Sequence, residues 1–145
     1  MSNDLEWLLL RKYNSFIVKK VPEGPIFTKE PGNLTNVHSY KYSGLANSKT
    51  VDVSDSPNGI KITTRKVKAA PSKVSSARST ATIRPRSGPR RALGVAASSA
   101  KRGYRPDLRP AVLARTSALL AAQKEPKPSP PKKQRGKKAV VAETA

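Results

Sequence analysis

Hydrophobic positions repeat at helical spacing at the start of the chain. Leu5, Leu8 and Leu9 fall on one face of a helix. Asn3, followed three residues later by Glu6, has the spacing of a capping box with Asn3 in the N-cap role. The pattern therefore predicts a helix over about residues 3–11.

The residues that follow alternate in the manner of β-strands, and turn residues separate the runs. Strands are predicted at residues 15–19, 25–29, 37–42, 49–53 and 59–63. Asn58-Gly59, between the last two runs, supplies residues that tolerate the positive φ of a hairpin turn. The predicted fold class is α+β, with a small antiparallel sheet and an N-terminal helix packed on it.

Aromatic residues are concentrated in the first 42 positions, which hold six of the seven: Trp7, Tyr13, Phe16, Phe27, Tyr40 and Tyr42. They could form the core of the domain or a platform on which RNA bases stack. We favour the core for Trp7, Phe16 and Phe27. Tyr40 and Tyr42 would share one strand face, so they are candidate RNA or protein contacts together with Lys41 and, far downstream, Tyr104.

Charge changes the picture because it is uneven along the chain. The whole chain carries a net charge of +20, of which residues 1–62 contribute +2 and residues 63–145 contribute +18. Leu, Ile, Val and Phe make up 27% of the first segment and 14% of the second. A segment so poor in apolar residues and so highly charged is not expected to form a core alone, and it is typical of chains that bind a polyanion. The predicted organisation is therefore a folded head followed by a cationic extension.

Composition divides the chain into four segments. The α+β head at residues 1–66 is followed by a basic Ser/Ala/Arg/Pro-rich extension at 67–103, a C-terminal helix at 104–123 and a disordered-type Lys/Pro-rich tail at 124–145. Prolines at 85 and 89 interrupt the central Arg84 to Arg91 run, so an extended path is favoured there. Residues 64–103 hold eleven basic side chains and no acidic one, which favours phosphate binding over a solvated tail.

One helix is predicted in the second half, over about residues 108–123. Asp107 is expected to cap it, and Pro110 lies in the first turn, where its missing N–H costs little. Its apolar stripe consists of Leu108, Val112, Ala118, Leu119 and Ala122. The stripe could pack on the head, on a protein neighbour or on a membrane surface, and the last option is disfavoured because the helix contains no aromatic residue.

Several classes of protein are excluded or disfavoured by what the sequence lacks. It has no cysteine and a single histidine, His38, so disulfides, thiolate metal sites and thiol nucleophiles are absent. No basic leader precedes the short apolar run at residues 7–10, so no secretory signal is predicted. Nothing near His38 forms a nucleophile–base pair with it. We therefore predict a non-enzymatic protein without metal, cofactor, small-molecule substrate or membrane association.

A set of short blocks in a fixed order carries a resemblance to a known family. The blocks are Leu5-Glu-Trp7, Asn14-Ser-Phe-Ile-Val-Lys19, Asn33-Leu34, Ser39-Tyr-Lys-Tyr-Ser-Gly-Leu45, Lys49-Thr-Val51 and Tyr104-Arg-Pro-Asp-Leu-Arg109. Together they resemble ribosomal protein twenty-eight of the eukaryotic large subunit, a family related in its head domain to the Mak-sixteen ribosome-assembly factors. The resemblance implies a structural constituent of the cytoplasmic large subunit that passes through the nucleolus during assembly. It also implies ribosomal RNA and neighbouring ribosomal proteins as partners. Family members tend to be helical in the middle of the chain, whereas prolines interrupt this one, so helicity over residues 75–100 stays open.

Candidate RNA-binding residues follow from the basic segments. They are Arg65, Lys66, Lys68, Lys73, Arg78, Arg84, Arg86, Arg90, Arg91, Lys101, Arg102, Arg105, Arg109, Arg115, Lys132, Lys133 and Arg135. Two alternatives remain open. An assembly factor would share the head, and a chromatin architectural protein would share a Lys-Pro-rich tail that resembles those of linker histones.

Overall fold

A computed structural model describes residues 2–19, 22–70, 72–101, 103–124 and 128–130. The elements are α1 (Asn3–Leu10), β1 (Ile17–Lys19), β2 (Phe27–Thr28), β3 (Val51–Ser56), β4 (Gly59–Arg65), β5 (Arg78–Ile83), α2 (Pro89–Ser99), a 3-10 turn (Pro106–Leu108) and α3 (Arg109–Ala122). The predicted α+β class is confirmed.

The central element is a three-stranded antiparallel sheet in the order β3-β4-β5. The β3–β4 hairpin is tight, with Ser56 paired to Gly59. Gly59 has a positive φ of 111°, as predicted, whereas the φ of Asn58 is not positive. The prediction of a positive φ is therefore correct for Gly59 and wrong for Asn58. A Cβ at Gly59 would collide with the Ile83 carbonyl oxygen, so glycine is required there for space as well as for φ.

One face of this sheet is covered by α2 and α3. Alternate strand residues point to it, and Val51, Val53, Ile60, Ile62 and Ile83 are buried there. The helices complete the core with a short list of residues: Ala92, Ala96, Ala100, Leu108, Val112 and Leu120. We call residues 51–122 the core unit.

The core unit contains structure that the sequence analysis did not predict. β5 pairs with β4 along its whole length, from Ile60–Ile83 to Arg65–Arg78, so packing continues across the expected boundary at residue 66. Residues 89–99, for which the sequence does not decide between helix and extended chain, form α2. Pro89 starts this helix instead of preventing it, because proline is tolerated in a first turn.

Residues 2–50 form what we call the N-terminal layer. β1 and β2 make a two-stranded antiparallel sheet, and Val37 adds one isolated bridge to Phe27. The predicted strand over residues 37–42 is wrong, because only Val37 makes a β-bridge and residues 40–42 form a turn. The turn is held by polar contacts: Asn47 Nδ2 donates to the carbonyl oxygens of Tyr40 (2.7 Å) and Ser43 (2.8 Å).

The expected aromatic core of the N-terminal layer is not present. Phe16 and Phe27 are 36% and 41% exposed, and none of the residues of α1 is buried. Trp7 is half-buried against the rings of His38 (centroids 4.9 Å apart) and Tyr40 (5.9 Å). Trp7 therefore belongs to a small aromatic cluster at the surface, and Phe16 and Phe27 are exposed.

Both predicted helix caps differ from the structure. Ser2 is the N-cap of α1, and its side chain accepts from Leu5 N, which shifts the cap one residue before Asn3. α3 begins after Leu108 without a side-chain cap. Asp107 does not cap it, because its carboxylate is paired with Arg105.

The apolar stripe of α3 is partly as predicted. Leu108 and Val112 are buried, whereas Ala118 and Ala122 are exposed. The stripe continues at spacing of four through Thr116 and Leu120. Thr116 was missed because it is polar, but its hydroxyl donates to the Val112 carbonyl oxygen at 2.7 Å and so is satisfied inside the core.

Candidate nucleic-acid interface

Ten of the predicted RNA-binding side chains belong to residues that are exposed: Lys66, Lys68, Lys73, Arg78, Arg84, Arg86, Arg90, Arg91, Lys101 and Arg109. Among the residues that the structure describes, the one ion pair is Arg105–Asp107. The exposed cations thus have no carboxylate partner within this part of the chain, and they remain available to an external anion.

The face of the sheet that points away from the helices forms one basic region. The pleat places Asp52, Ser54, Lys61, Thr63 and Arg65 on this face, because their neighbours in sequence point into the core. β5 contributes Arg78 and Thr80. With the loop that carries Lys73, these residues line a groove of about 710 Å³, which we call the sheet groove.

Four cations border the sheet groove against one carboxylate. Lys61, Arg65, Lys73 and Arg78 are the cations, and Asp52 is the acid. Lys61 is the one of the four that the sequence analysis did not select, because it lies in the weakly charged half of the chain. Strand alternation next to the buried Ile60 and Ile62 could have placed it on the open face.

A second basic region follows β5. Arg84 and Arg86 lie in a turn closed by a 2.9 Å bond from Ser87 N to the Arg84 carbonyl oxygen, and Arg90 and Arg91 open α2. All four are exposed. We call these four residues the arginine turn. The first turn of α2 has no acidic residue to balance them.

Arg105 has a structural role. Its guanidinium donates to the Asp107 carboxylate at 2.8 Å, to the Lys41 carbonyl oxygen at 2.8 Å and to the Lys49 carbonyl oxygen at 3.1 Å. The hydrogen bond from Arg105 holds the pKa of Asp107 below its ordinary value. Arg105 therefore joins the N-terminal layer to the segment before α3.

Arg115 has a similar role from α3. Its Nε donates to the Val53 carbonyl oxygen at 2.7 Å, and its Nη1 donates to that of Leu34 at 3.0 Å. These donors are used within the fold. RNA contacts by Arg105 and Arg115 stay predictions that this geometry does not favour.

Tyr104 closes one end of the β3–β4 pair. Its hydroxyl lies within hydrogen-bond distance of the carbonyl oxygens of Thr50 (2.9 Å) and Arg65 (2.7 Å) and accepts from the N–H groups of the same two residues. Burial raises the pKa of Tyr104. This hydroxyl is therefore a structural latch, which leaves an external contact by Tyr104 a prediction.

Tyr40 and Tyr42 do not share a strand face. The Tyr40 hydroxyl donates to the Asp4 carboxylate at 2.7 Å, and this hydrogen bond raises the pKa of Tyr40. Tyr42 packs on the core, with Lys41 Nζ 5.5 Å from its ring centroid. A stacking platform on these two rings loses its geometric basis, although single contacts by Tyr40 or Lys41 stay predictions.

Other candidates can be placed only in part. Arg102, Lys132, Lys133 and Arg135 lie outside the described residues. Within the described ranges, no group of His, Asp and Glu residues is arranged to hold a metal ion. No helix there has both the length and the apolar character needed to cross a bilayer.

The chain is similar to known proteins over most of its length. Residues 5–122 match the model of the Ribosomal L28e protein family. Over 129 residues the chain is 33% identical to the large ribosomal subunit protein eL28 of Schizosaccharomyces pombe. This alignment covers 88% of the chain and 96% of that protein. It is 36% identical over 130 residues to the protein of the same name from Dictyostelium discoideum, covering 86% and 93% respectively. A third similar protein, eL28 of Caenorhabditis elegans, is 38% identical over 73 residues, half of this chain.

These matches place the chain in the class of eukaryotic ribosomal proteins. Ribosomal protein families of this kind are structural components and not enzymes. Within that class, the chain belongs to the ribosomal L28e family. The resemblance drawn from the sequence blocks is confirmed.

Proposed function

We propose that the chain is a constituent of the large ribosomal subunit that binds and stabilises folded ribosomal RNA by neutralising its phosphates. The observation that carries the proposal is the set of ten exposed cations without an ion-pair partner among the described residues. Lys and Arg side chains that replace condensed counterions on RNA bind strongly at low salt. Contacts of this kind fix position and orientation without reading sequence.

The named relatives support the location in the large subunit. Under this proposal the protein works in cytoplasmic ribosomes after nucleolar assembly, with ribosomal RNA and neighbouring ribosomal proteins as partners. The Ser43 hydroxyl does bond to the Glu30 carboxylate, but both residues are buried, so this pair is a structural contact and gives no support to a catalytic role.

The test is the salt dependence of binding to a folded fragment of large-subunit RNA. About ten phosphate contacts would give a slope of log K against log salt on the order of −7 to −9. Replacing the arginine turn by glutamine at all four positions should make the slope shallower by about 3 to 4, roughly one per lost contact. A slope near zero for the unaltered protein would contradict phosphate neutralisation.

Gradient sedimentation tests the biological half of the proposal. A tagged copy of the full chain should remain with polysomes after a moderate-salt wash. If it appeared only with nuclear precursor particles, it would be an assembly factor. If duplex DNA outcompeted structured RNA in binding assays, an architectural role in chromatin would replace the ribosomal one.

A further inference from the structure

The sheet groove brings like charges together in a way that the fold alone does not explain. In the β4–β5 register Arg65 is the direct partner of Arg78, and both border the groove. Like charges placed directly opposite across two strands are destabilising. Lys61 and Lys73 border the same groove and add to this repulsion.

No carboxylate in the described part of the chain forms an ion pair with these four side chains. Asp52, the groove's one acid, forms no ion pair with any described residue. The side chains of Lys61 and Arg78 also have no hydrogen-bond partner among the described residues, unlike Arg105 and Arg115. The groove therefore holds an excess of positive charge that only an external anion can balance.

The lining also indicates which kind of anion fits. No aromatic residue borders the groove, so it offers no surface on which an unpaired base can stack. It offers hydroxyls instead, from Ser54, Thr63 and Thr80 on the strands and from Ser75 on the adjacent loop. Double-stranded RNA is recognised chiefly through phosphates and 2′-hydroxyls, whereas single strands are recognised through stacked bases.

We propose that the sheet groove binds the sugar–phosphate backbone of a double-stranded RNA segment. Lys61, Arg65, Lys73 and Arg78 hold phosphates, and the strand hydroxyls contact ribose 2′-hydroxyls. The inference rests on the proposed function and deepens it, because it assigns one surface and one form of RNA. It gives a role to the basic residues of the sheet that is separate from that of the arginine turn.

The experiment compares two variants of the full chain that lose the same charge. The groove variant is Lys61→Gln with Arg78→Gln. The control is Arg11→Gln with Lys12→Gln, at two exposed positions after α1 that do not line the groove. Binding is measured by fluorescence anisotropy with three probes: an RNA duplex, an unstructured single-stranded RNA and a DNA duplex of the same sequence. Thermal unfolding of each variant checks that the fold is retained.

We expect the groove variant to bind the RNA duplex about tenfold or more weakly at 0.1 M salt, with a salt slope shallower by about 2, roughly one per lost contact. The control should shift the slope by less than half as much. The unaltered protein should prefer the RNA duplex to both other probes, and the groove variant should lose most of that preference.

Three results would overturn the inference. If the groove variant and the control bound the RNA duplex equally, the groove would not be the site, while RNA binding itself would stand. If the groove variant lost affinity mainly for single-stranded RNA, the duplex assignment would be wrong. If RNA and DNA duplexes were bound equally, the ribose contacts would be wrong. Failure of the unaltered protein to bind RNA at all would instead contradict the proposed function.

Discussion

The buried surface of the core unit is aliphatic, whereas that of the N-terminal layer is largely polar. In the core unit Val51, Val53, Ile60 and Val112 are nearly inaccessible to water. In the N-terminal layer the buried residues are mostly polar: Thr28, Glu30, Asn33, Ser43 and Asn47, with Leu34 and Ala46 as the apolar exceptions. The two regions are therefore stabilised by different interactions.

Glu30 shows how the N-terminal layer manages without a large apolar core. Its carboxylate accepts from the Ser43 hydroxyl and from Leu45 N, both at 2.6 Å. A buried polar group is tolerated only when hydrogen bonds replace its hydration. The comparison teaches that large apolar side chains do not by themselves mark the core, since Leu8, Leu9 and Tyr13 are exposed while small alanines of α2 are buried.

The largest expected difference between the two regions comes from replacing one aliphatic side chain in each by alanine. Ile60 is 1% exposed. Ile60→Ala should lower the free energy of unfolding of the protein by about 2–5 kcal/mol, because the change removes buried apolar surface and leaves a cavity. Leu9→Ala, at a position 67% exposed, should change it by no more than about 0.5 kcal/mol. Urea denaturation of both variants gives the comparison. Equal destabilisation would show that α1 also contributes to the core.

Two glycines of the core unit offer a second test with opposite signs. Gly59→Ala should destabilise by about 1–3 kcal/mol, because Gly59 has a positive φ and a Cβ would collide with the Ile83 carbonyl oxygen. Gly94→Ala should stabilise by about 0.5–1 kcal/mol, because Gly94 lies within α2 with nothing within 4 Å of a new Cβ. The same denaturation measurement reads both. A neutral Gly59 variant would mean that the hairpin turn is free to rearrange.

Tyr104→Phe probes the latch that joins the two regions. The loss should be about 1–2 kcal/mol, because the N–H of Thr50 is left without its hydroxyl partner in a partly buried position. Tyr104 has a raised pKa, so its contribution is complete below the ordinary tyrosine value of 10.0 and is lost as the pH rises above it. Thermal unfolding measured on both sides of that pH should show a steeper alkaline decline for the unaltered protein than for the variant. Parallel declines would contradict the latch.

Asp107→Asn should have the smallest effect. The Arg105–Asp107 pair is partly exposed, so we expect a loss of no more than about 1 kcal/mol at neutral pH. Because the pKa of Asp107 is lowered, its contribution is present above the ordinary value of 3.8 and is lost as the pH falls below it. The two proteins should therefore converge in thermal midpoint in strong acid. A difference that persisted there would assign the effect to packing.

How far the sequence predicts the fold depends on how local the signals are. α1, the β3–β4 hairpin and α3 were predicted because periodicity and turn residues act over a few positions. β5 was missed because Arg78-Ser-Thr-Ala-Thr-Ile83 has few apolar residues, and its strand form depends on pairing with β4. Helicity in the α2 region stayed open at the level of sequence because prolines precede it and its buried side is alanine, which gives little apolar contrast.

The basic surface was predictable in kind but not in detail. Charge density selected basic residues that the structure shows to be exposed, namely the arginine turn with Lys66, Lys68 and Lys73, whereas their binding to RNA stays a prediction. Charge alone could not distinguish Arg105 and Arg115 from the exposed basic residues. Both donate hydrogen bonds to backbone carbonyl oxygens of residues that are distant in sequence. The same limit concealed Lys61, which joins the other groove cations only when the sheet has formed.

The position of α3 at the end of the core unit has a consequence for synthesis. Val112, Thr116 and Leu120 cover strands that leave the translating ribosome long before they do. Until residues 109–122 emerge, the aliphatic side of β3 lacks the helix that covers it, and apolar surface exposed in this way is prone to aggregation. A chain truncated before Arg109 would thus lack the side chains that cover β3, and part of the aliphatic side of the sheet would stay exposed.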